Sequence, residues 1–164
     1  MDVTLVRADV AVLDAALAGD EELAQHLGCA VVPRWVSFTG PLHATRDALV
    51  KDPTLVEWGT RLFLAGEPPE LVGWGGYKGP PRDGRVELGY EIAESRWGRG
   101  LATDAVRAML AEAFADPDVS AVIAHTLPEP NASTRVLEKA GFRFGGPAVE
   151  DGLEVWLFQL DRPS

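Results

Sequence analysis

The chain has 164 residues, of which 46% are hydrophobic and 24% charged, a composition typical of one globular domain spanning residues 1–164. Its formal net charge of -10 argues against a nucleic-acid-binding module, because such modules bind phosphates through lysine and arginine. No apolar run reaches membrane-spanning length, and the single Cys29 excludes an internal disulfide.

The first residues and the lone cysteine indicate an intracellular protein. Asp2 stands where a secretion signal needs basic residues, and no apolar stretch follows it. His26 and Cys29 lack a second pair of ligands at zinc spacing, so we expect no metal site. We therefore expect a cytoplasmic protein with neither membrane nor nucleic acid among its partners, whose oligomeric state the sequence leaves open. The acidity suits a cationic ligand such as an amine, although solubility explains it equally well.

Hydrophobic periodicity predicts the elements in chain order. The first part contains a strand at 3–7, helices at 9–17 and 20–27, and an irregular connection at 28–53 with a short helix near 44–50. The second part contains strands at 60–65, 71–77 and 85–92, a helix at 101–114, a strand at 119–124, a helix at 131–140, and closing strands at 143–149 and 153–160. This order predicts an α/β (α+β) fold, a mixed sheet with helices on both faces.

The strand at 85–92 alternates between apolar and polar residues. Val86, Leu88, Tyr90 and Ile92 share one face, which we expect to be core, while Glu87 lies on the other face with Gly89 beside it. A glycine-containing turn, residues 96–100, follows this strand and leads into the next helix. Two glycines at a helix start leave backbone N–H groups uncovered, and the positive end of the helix dipole attracts phosphate. An ordinary strand-to-helix turn is the other interpretation, because a glycine-rich turn alone is a weak motif.

Two common phosphate ligands fit this segment poorly. The nucleoside-triphosphate motif Gly-x-x-x-x-Gly-Lys-Ser/Thr does not occur in the chain. A dinucleotide site needs a small residue where Thr103 stands and an acid at the end of the next strand, where the sequence has His125 and Thr126.

Four segments together resemble the GNAT superfamily of acetyl-coenzyme A-dependent N-acetyltransferases. They are Val86-Glu87-Leu88-Gly89-Tyr90-Glu91-Ile92, Trp97-Gly98-Arg99-Gly100-Leu101-Ala102-Thr103, Asn131-Ala132-Ser133 and Val136-Leu137-Glu138-Lys139-Ala140-Gly141-Phe142. The resemblance covers roughly residues 71–160 and is nearest to the branch of the ribosomal-protein N-terminal acetyltransferases.

The resemblance implies a splayed sheet that binds acetyl-CoA as cosubstrate. The pantetheine arm would lie along the strand that ends near Ile92, and a backbone N–H near Ile92 or Ala93 would polarise the thioester carbonyl. The pyrophosphate would lie on residues 98–103, namely Gly98, Arg99, Gly100, Leu101, Ala102 and Thr103. Residues 9–57 would then form the acceptor side.

The sequence departs from the family pattern at three positions. Trp97 replaces the usual Gln or Arg at the start of the loop, which a loop that binds through backbone N–H groups tolerates. Asn131 lies two residues before the serine instead of three, so it either contacts the coenzyme or only caps the helix. Leu137 stands where many members place a catalytic tyrosine, and the branch suggests Ser133 as proton donor to the leaving thiolate; Ser133 has a rival role as a helix cap.

Acetyl transfer to an amine also requires a base. Glu87 is the first candidate, because it lies on the polar face of the strand beside the expected thioester, although such faces are often only solvated. His125, at the end of the next strand, is the second candidate, since histidine titrates near neutral pH.

We therefore predict an N-acetyltransferase that acts on a primary amine by direct attack in a ternary complex. A noncatalytic domain that keeps acyl-CoA as a ligand is the alternative. The acceptor would be a small-molecule amine or a peptide N-terminus. Trp35, Trp58 and Trp74 are candidates to line its pocket, but we expect at least two of them to fill the core.

Overall fold

The computed structural model describes residues 2–164, which form one mixed sheet with helices on both faces. The strands are β1 (Val3–Arg7), β2 (Ala30–Val31), β3 (Thr60–Ala65), β4 (Glu70–Tyr77), β5 (Arg85–Ile92), β6 (Ala121–Thr126), β7 (Arg143–Glu150) and β8 (Leu153–Asp161). The helices are α1 (Val10–Ala18), α2 (Asp20–Leu27), α3 (Gly40–Lys51), α4 (Leu101–Phe114) and α5 (Ala132–Lys139), with 3₁₀ turns at Pro53–Trp58 and Glu94–Arg96. The predicted fold class is confirmed.

Along the sheet the strands lie in the order β1, β3, β4, β5, β6, β8 and β7, and the short β2 pairs with β4. Neighbouring strands are antiparallel except β2–β4 and β5–β6, which are parallel.

Two hydrophobic clusters lie on opposite faces of this sheet. Leu62 packs with the buried residues of α1, α2 and α3, whereas its neighbour Phe63 packs with those of α4 and α5. Because successive side chains of a strand point to opposite faces, α1–α3 cover one face and α4–α5 the other.

The central strands β5 and β6 separate before they end. Their register runs only from Arg85 opposite Ala121 to Glu87 opposite Ile123, yet β5 continues to Ile92 and β6 to Thr126. Residues 88–92 of β5 therefore have no partner on this side. The resulting opening, which we call the β5–β6 opening, positions the candidate site.

Within residues 2–164, no helix combines the length and apolar character needed to cross a membrane.

Candidate active site

A cavity of about 530 Å³ lies at the β5–β6 opening, between the end of β5, the start of α4 and one face of α5. The predicted coenzyme residues that line it are Ile92, Gly98, Gly100, Leu101, Ala102 and Thr103. Arg99 is exposed beside them and does not line the cavity. The glycine turn and the unpaired part of β5 thus belong to one site.

Gly98 and Gly100 give the turn its shape. Their φ angles are 78° and 76°, in the left-handed region that favours glycine, and a Cβ at either position would meet open space. Gly100 is the N-cap of α4, and no side chain caps its free N–H groups. The first turn of α4 therefore presents uncapped N–H donors to the cavity, as an anion site requires.

The backbone of β5 supplies further donors. Lys78 N donates to Glu87 O at 2.9 Å, and Ala93 N donates to Val72 O at 2.8 Å, so these odd-numbered positions bond to the β4 side. N–H groups alternate in direction along an antiparallel strand, so the even-numbered residue Ile92 directs its N–H into the opening. The amide of Ala93 is thus already bonded to β4, and of the two predicted donors Ile92 has its N–H directed into the opening.

Unpaired positive charge lies on the α5 side of the cavity. Arg135 and Lys139 line it one helical turn apart, and within residues 2–164 neither side chain has an ion-pair partner. Arg96, on the opposite wall, is held by Glu70 through two hydrogen bonds of 2.7 and 3.1 Å. In a chain of net charge -10, these cations favour an anionic ligand here.

Asn131 is the N-cap of α5. Its side-chain oxygen accepts from Thr134 N at 3.0 Å, while the Thr134 hydroxyl accepts from Asn131 N at 2.9 Å, which completes a capping box. Asn131 does not line the cavity. Its side chain therefore has the capping role that the sequence left open, and its contact with coenzyme stays a prediction.

Ser133 lines the cavity and does not cap the helix. Its hydroxyl has no hydrogen-bond partner within residues 2–164, so it is available to a ligand. Beside it, the Tyr90 hydroxyl donates to Ser133 O at 3.3 Å, and burial raises the pKa of Tyr90 to about 12. Tyr90 is thus a second protonated hydroxyl at the site, missed in the sequence because its alternation assigned it to the core face.

Glu87 and His125, the two candidate bases, are hydrogen-bonded to each other. His125 Nδ1 is 2.9 Å from Glu87 Oε2 and 2.8 Å from Glu150 Oε2. Lys78 Nζ completes the group at 2.8 Å from Glu87 Oε2 and 3.1 Å from Glu150 Oε1. We call these four residues the base cluster. Glu87 is the last residue of β5 paired with β6, so the cluster lies where the β5–β6 opening begins.

The base cluster contains one lysine and two carboxylates. Burial alone would lower the pKa of Lys78, but hydrogen bonds to Glu87 and Glu150 outweigh it and raise that pKa above its ordinary value. The ligand atoms of Glu87, His125 and Glu150 lie within 4.8 Å of one another, a spacing that a metal ion also needs. Lys78 already supplies a cation to both carboxylates.

Of the three tryptophans predicted to line the acceptor pocket, only Trp74 contacts a residue of the cavity wall. Trp35 is 1% exposed and donates to Asp20, and Trp58 packs edge-on against Tyr77 in the core. Trp74 instead donates to Glu91 at 3.4 Å, and Glu91, which lines the cavity, also accepts from the backbone N of residue 37. The irregular 28–53 segment thus touches β5 beside the cavity.

The glycine turn with uncapped N–H donors and the separated strands β5 and β6 have the arrangement that the sequence resemblance implies for coenzyme binding. A family model described as the acetyltransferase (GNAT) domain matches residues 3–143, so the chain belongs to this family and is an acyltransferase.

Known proteins agree with this assignment. One relative is the Bacillus subtilis (strain 168) protein YjdG, named as an uncharacterized N-acetyltransferase, which is 26% identical over 153 residues, or 92% of this chain and 90% of that protein. The ribosomal-protein-S5-alanine acetyltransferase from Vibrio fischeri matches 98% of this chain and 93% of its own, with a TM-score of 0.71 at 14% identity. The aminoglycoside acetyltransferase AAC(6')-Ib, solved with ribostamycin and coenzyme A, matches 99% of this chain and 94% of its own, with a TM-score of 0.67 at 20% identity. At such identities the structural matches show the shared fold alone.

Proposed function

We propose that the chain transfers an acetyl group from acetyl-CoA to a primary amine by direct attack within a ternary complex. The observation that carries this proposal is the β5–β6 opening. The glycine turn and the cavity lie at one end of it, and the base cluster lies at the other. A coenzyme bound along β5 and an amine beside Glu87 would meet there.

The groups that would hold the coenzyme have no other partner within residues 2–164. Its pyrophosphate would accept from the N–H groups of residues 98–103, and Arg135 and Lys139 would neutralise a further phosphate. An inward-directed backbone N–H within residues 88–92, the unpaired part of β5, would donate to the thioester oxygen.

Glu87 would accept a proton from the acceptor ammonium, because the attacking nitrogen needs a free electron pair. His125, bonded to Glu87, would pass that proton on or act as base itself. After the C–N bond forms and the C–S bond breaks, the nitrogen would lose its second proton to the departing thiolate, with the Ser133 hydroxyl as hydrogen-bond donor to the sulfur or as relay for that proton. Tyr90 is the rival donor, because its hydroxyl lies beside Ser133 at the cavity wall.

Either a small-molecule amine or a peptide N-terminus remains the proposed acceptor. The structural relatives include enzymes named for a ribosomal protein and for aminoglycosides, with similar TM-scores of 0.71 and 0.67, so they do not favour the ribosomal-protein branch. Residues 9–57 would form the acceptor side and residues 71–160 the coenzyme side of one domain. A cytoplasmic location remains a prediction from the sequence alone.

The test is release of free thiol from acetyl-CoA with and without each member of a panel of peptide N-termini, aminoglycosides, polyamines and small metabolite amines. At least one amine should accelerate release. Tight acetyl-CoA binding with no acceleration by any amine would favour the noncatalytic alternative.

A further inference from the structure

Lys78 presents a primary amine to the proposed base. It follows β4 and lies opposite Glu87, to which its backbone N–H donates at 2.9 Å. Directly opposed residues of an antiparallel pair point to the same face, so both side chains lie on the acceptor face of β5. Lys78 Nζ is 2.8 Å from Glu87 Oε2 and half of the side chain, 54%, is exposed.

The Lys78 amine lies where an acceptor amine would have to bind, beside the Glu87 carboxylate. For Glu87 to deprotonate any acceptor, the acceptor nitrogen must come within hydrogen-bond distance of its carboxylate. Lys78 Nζ already meets that requirement, and it also bonds Glu150 Oε1 at 3.1 Å. The acceptor position beside Glu87 is therefore held by a side chain of the same chemical class as the proposed substrate.

We propose that Lys78 is a self-acetylation site, an inference that rests on the proposed function. Glu87 takes one proton from the Lys78 ammonium, and the free amine attacks the acetyl carbonyl of acetyl-CoA. The C–N bond forms, the C–S bond breaks, and the second proton lost from nitrogen goes to the coenzyme thiolate. The products are N-acetyl-lysine at position 78 and free coenzyme A.

Acetylation changes the charge of the base cluster. The amide of acetyl-lysine is neutral and forms no ion pair, so Glu87 and Glu150 lose their internal cation. Both carboxylates then become available to an incoming ammonium. A single slow turnover on Lys78 thus opens the cluster to external amines.

The chain contains its own controls, because it has three lysines in all. Lys51 is exposed at the end of α3 and reports background chemical acetylation. Lys139 lines the coenzyme cavity but has no carboxylate partner in the described part of the chain, residues 2–164. Its rate therefore measures the effect of lying near the coenzyme without a base.

The experiment incubates the full chain with acetyl-CoA and no acceptor, and follows acetylation at the three lysines by peptide mass spectrometry. We expect Lys78 to react about a hundredfold faster than Lys51 and Lys139, the scale of general-base catalysis, at a rate independent of protein concentration. Glu87→Gln should reduce Lys78 to the rate of Lys51, and Lys78→Arg should abolish the fast acetylation.

Two results would overturn self-acetylation. One is a Lys78 rate equal to that of Lys51 in wild-type protein, and this comparison needs no variant to fold. The other is a Lys78 rate that rises with protein concentration, which would indicate transfer between molecules. If Lys78 is not acetylated but the amine panel still shows turnover, only self-acetylation is overturned. If neither Lys78 acetylation nor amine turnover is found, self-acetylation and the proposed function are both overturned.

Discussion

Gly100 begins α4 with a left-handed backbone and open space where a Cβ would stand. Gly100→Asp would place a carboxylate where we expect the coenzyme pyrophosphate. Repulsion and lost space should weaken acetyl-CoA binding more than tenfold, or by about 1.4 kcal/mol, as titration calorimetry would measure.

Gly28 provides a matched control for this change. It has a φ of 71° and open space at its Cβ, but it caps α2 and does not line the cavity. Gly28→Asp should leave coenzyme affinity unchanged. Unaltered affinity in folded Gly100→Asp protein would refute the phosphate assignment.

Glu87 and His125 share a hydrogen bond, so their roles must be separated by substitution. Glu87→Gln keeps the side-chain shape and removes the basicity. We expect turnover to fall by about a hundredfold or more while acetyl-CoA affinity holds. Full activity in Glu87→Gln, together with loss of activity in His125→Ala, would assign the base to His125. If the two residues act as a unit, the double variant should be no slower than the slower single variant.

The structure separates two roles at the start of α5, since Asn131 is the cap and Ser133 lines the cavity. Ser133→Ala should lower kcat by about tenfold to a hundredfold, because a hydrogen bond to a charged group contributes about 1.5–3 kcal/mol. Its melting temperature should stay near that of wild type.

Two neighbouring variants control this prediction. Asn131→Ala should cost about 1 kcal/mol of stability as a lost cap and leave kcat nearly unchanged; a raised KM for acetyl-CoA would instead support its predicted contact with coenzyme. Loss of kcat in Tyr90→Phe with wild-type kcat in Ser133→Ala would transfer the donor role to Tyr90.

At the residue scale, the sequence named individual candidate residues but did not indicate how they are connected. The alternation of β5 placed Glu87 on the polar face, and the chemistry of acyl transfer made it a candidate. Its hydrogen bond with His125 spans 38 positions of the chain, and its links to Glu150 through His125 and Lys78 span 63. They depend on the order β5, β6, β8, β7, which local patterns do not encode.

At the scale of elements, an ion pair helps to fix the segment that carries the glycine turn to the sheet. Arg96 is the last residue of the 3₁₀ turn before Gly98. Its guanidinium donates two hydrogen bonds to the carboxylate of Glu70 at the start of β4. Such paired bonds restrict geometry as well as adding energy. Glu70 is therefore a positioning residue for the turn.

Glu70→Gln should raise the KM for acetyl-CoA by less than tenfold and leave kcat unchanged, since partly exposed pairs contribute about 1 kcal/mol or less. Asp14→Asn breaks the Arg46 ion pair between α1 and α3, away from the cavity, and should change neither constant. A changed kcat with unchanged KM in Glu70→Gln would contradict the positioning role.

The same ion pair gives a pH dependence with a definite sign. The hydrogen bond from Arg96 lowers the pKa of Glu70 below its ordinary value. Its stabilisation is therefore present above the unfolded pKa of about 4.3 and is lost as pH falls through the lower folded value. The difference in melting temperature between wild type and Glu70→Gln should vanish in acid.

The predicted bounds of an element agree with the structure where many periodically spaced apolar residues mark it. They differ where a turn or a capping residue determines where the element begins. The bounds of β1, α2, β3, β5 and α4 agree with their patterns, because several alternating or three-to-four-spaced apolar residues mark each one. β6 starts at Ala121, not at residue 119, since Val119 N bonds Asp116 O in the turn after α4. The helix α3 starts earlier than expected, at Gly40, where Pro41 suits a first turn. The two-residue β2 is too short to leave a pattern.

At the scale of the molecule, the two faces of the sheet carry different parts of the candidate site. The face covered by α4 and α5 contains the cavity with its glycine turn and unpaired cations, and the other face carries the base cluster and the Glu91 contact with residue 37. The β5–β6 opening connects them. Donor and acceptor would therefore bind from different sides and react without a covalent enzyme intermediate.

Initial-rate kinetics with acetyl-CoA and an active amine, both varied, test this claim most directly. Direct attack in a ternary complex predicts double-reciprocal lines that intersect. Parallel lines would indicate an acetyl-enzyme intermediate formed before the acceptor binds, and would contradict the proposed mechanism.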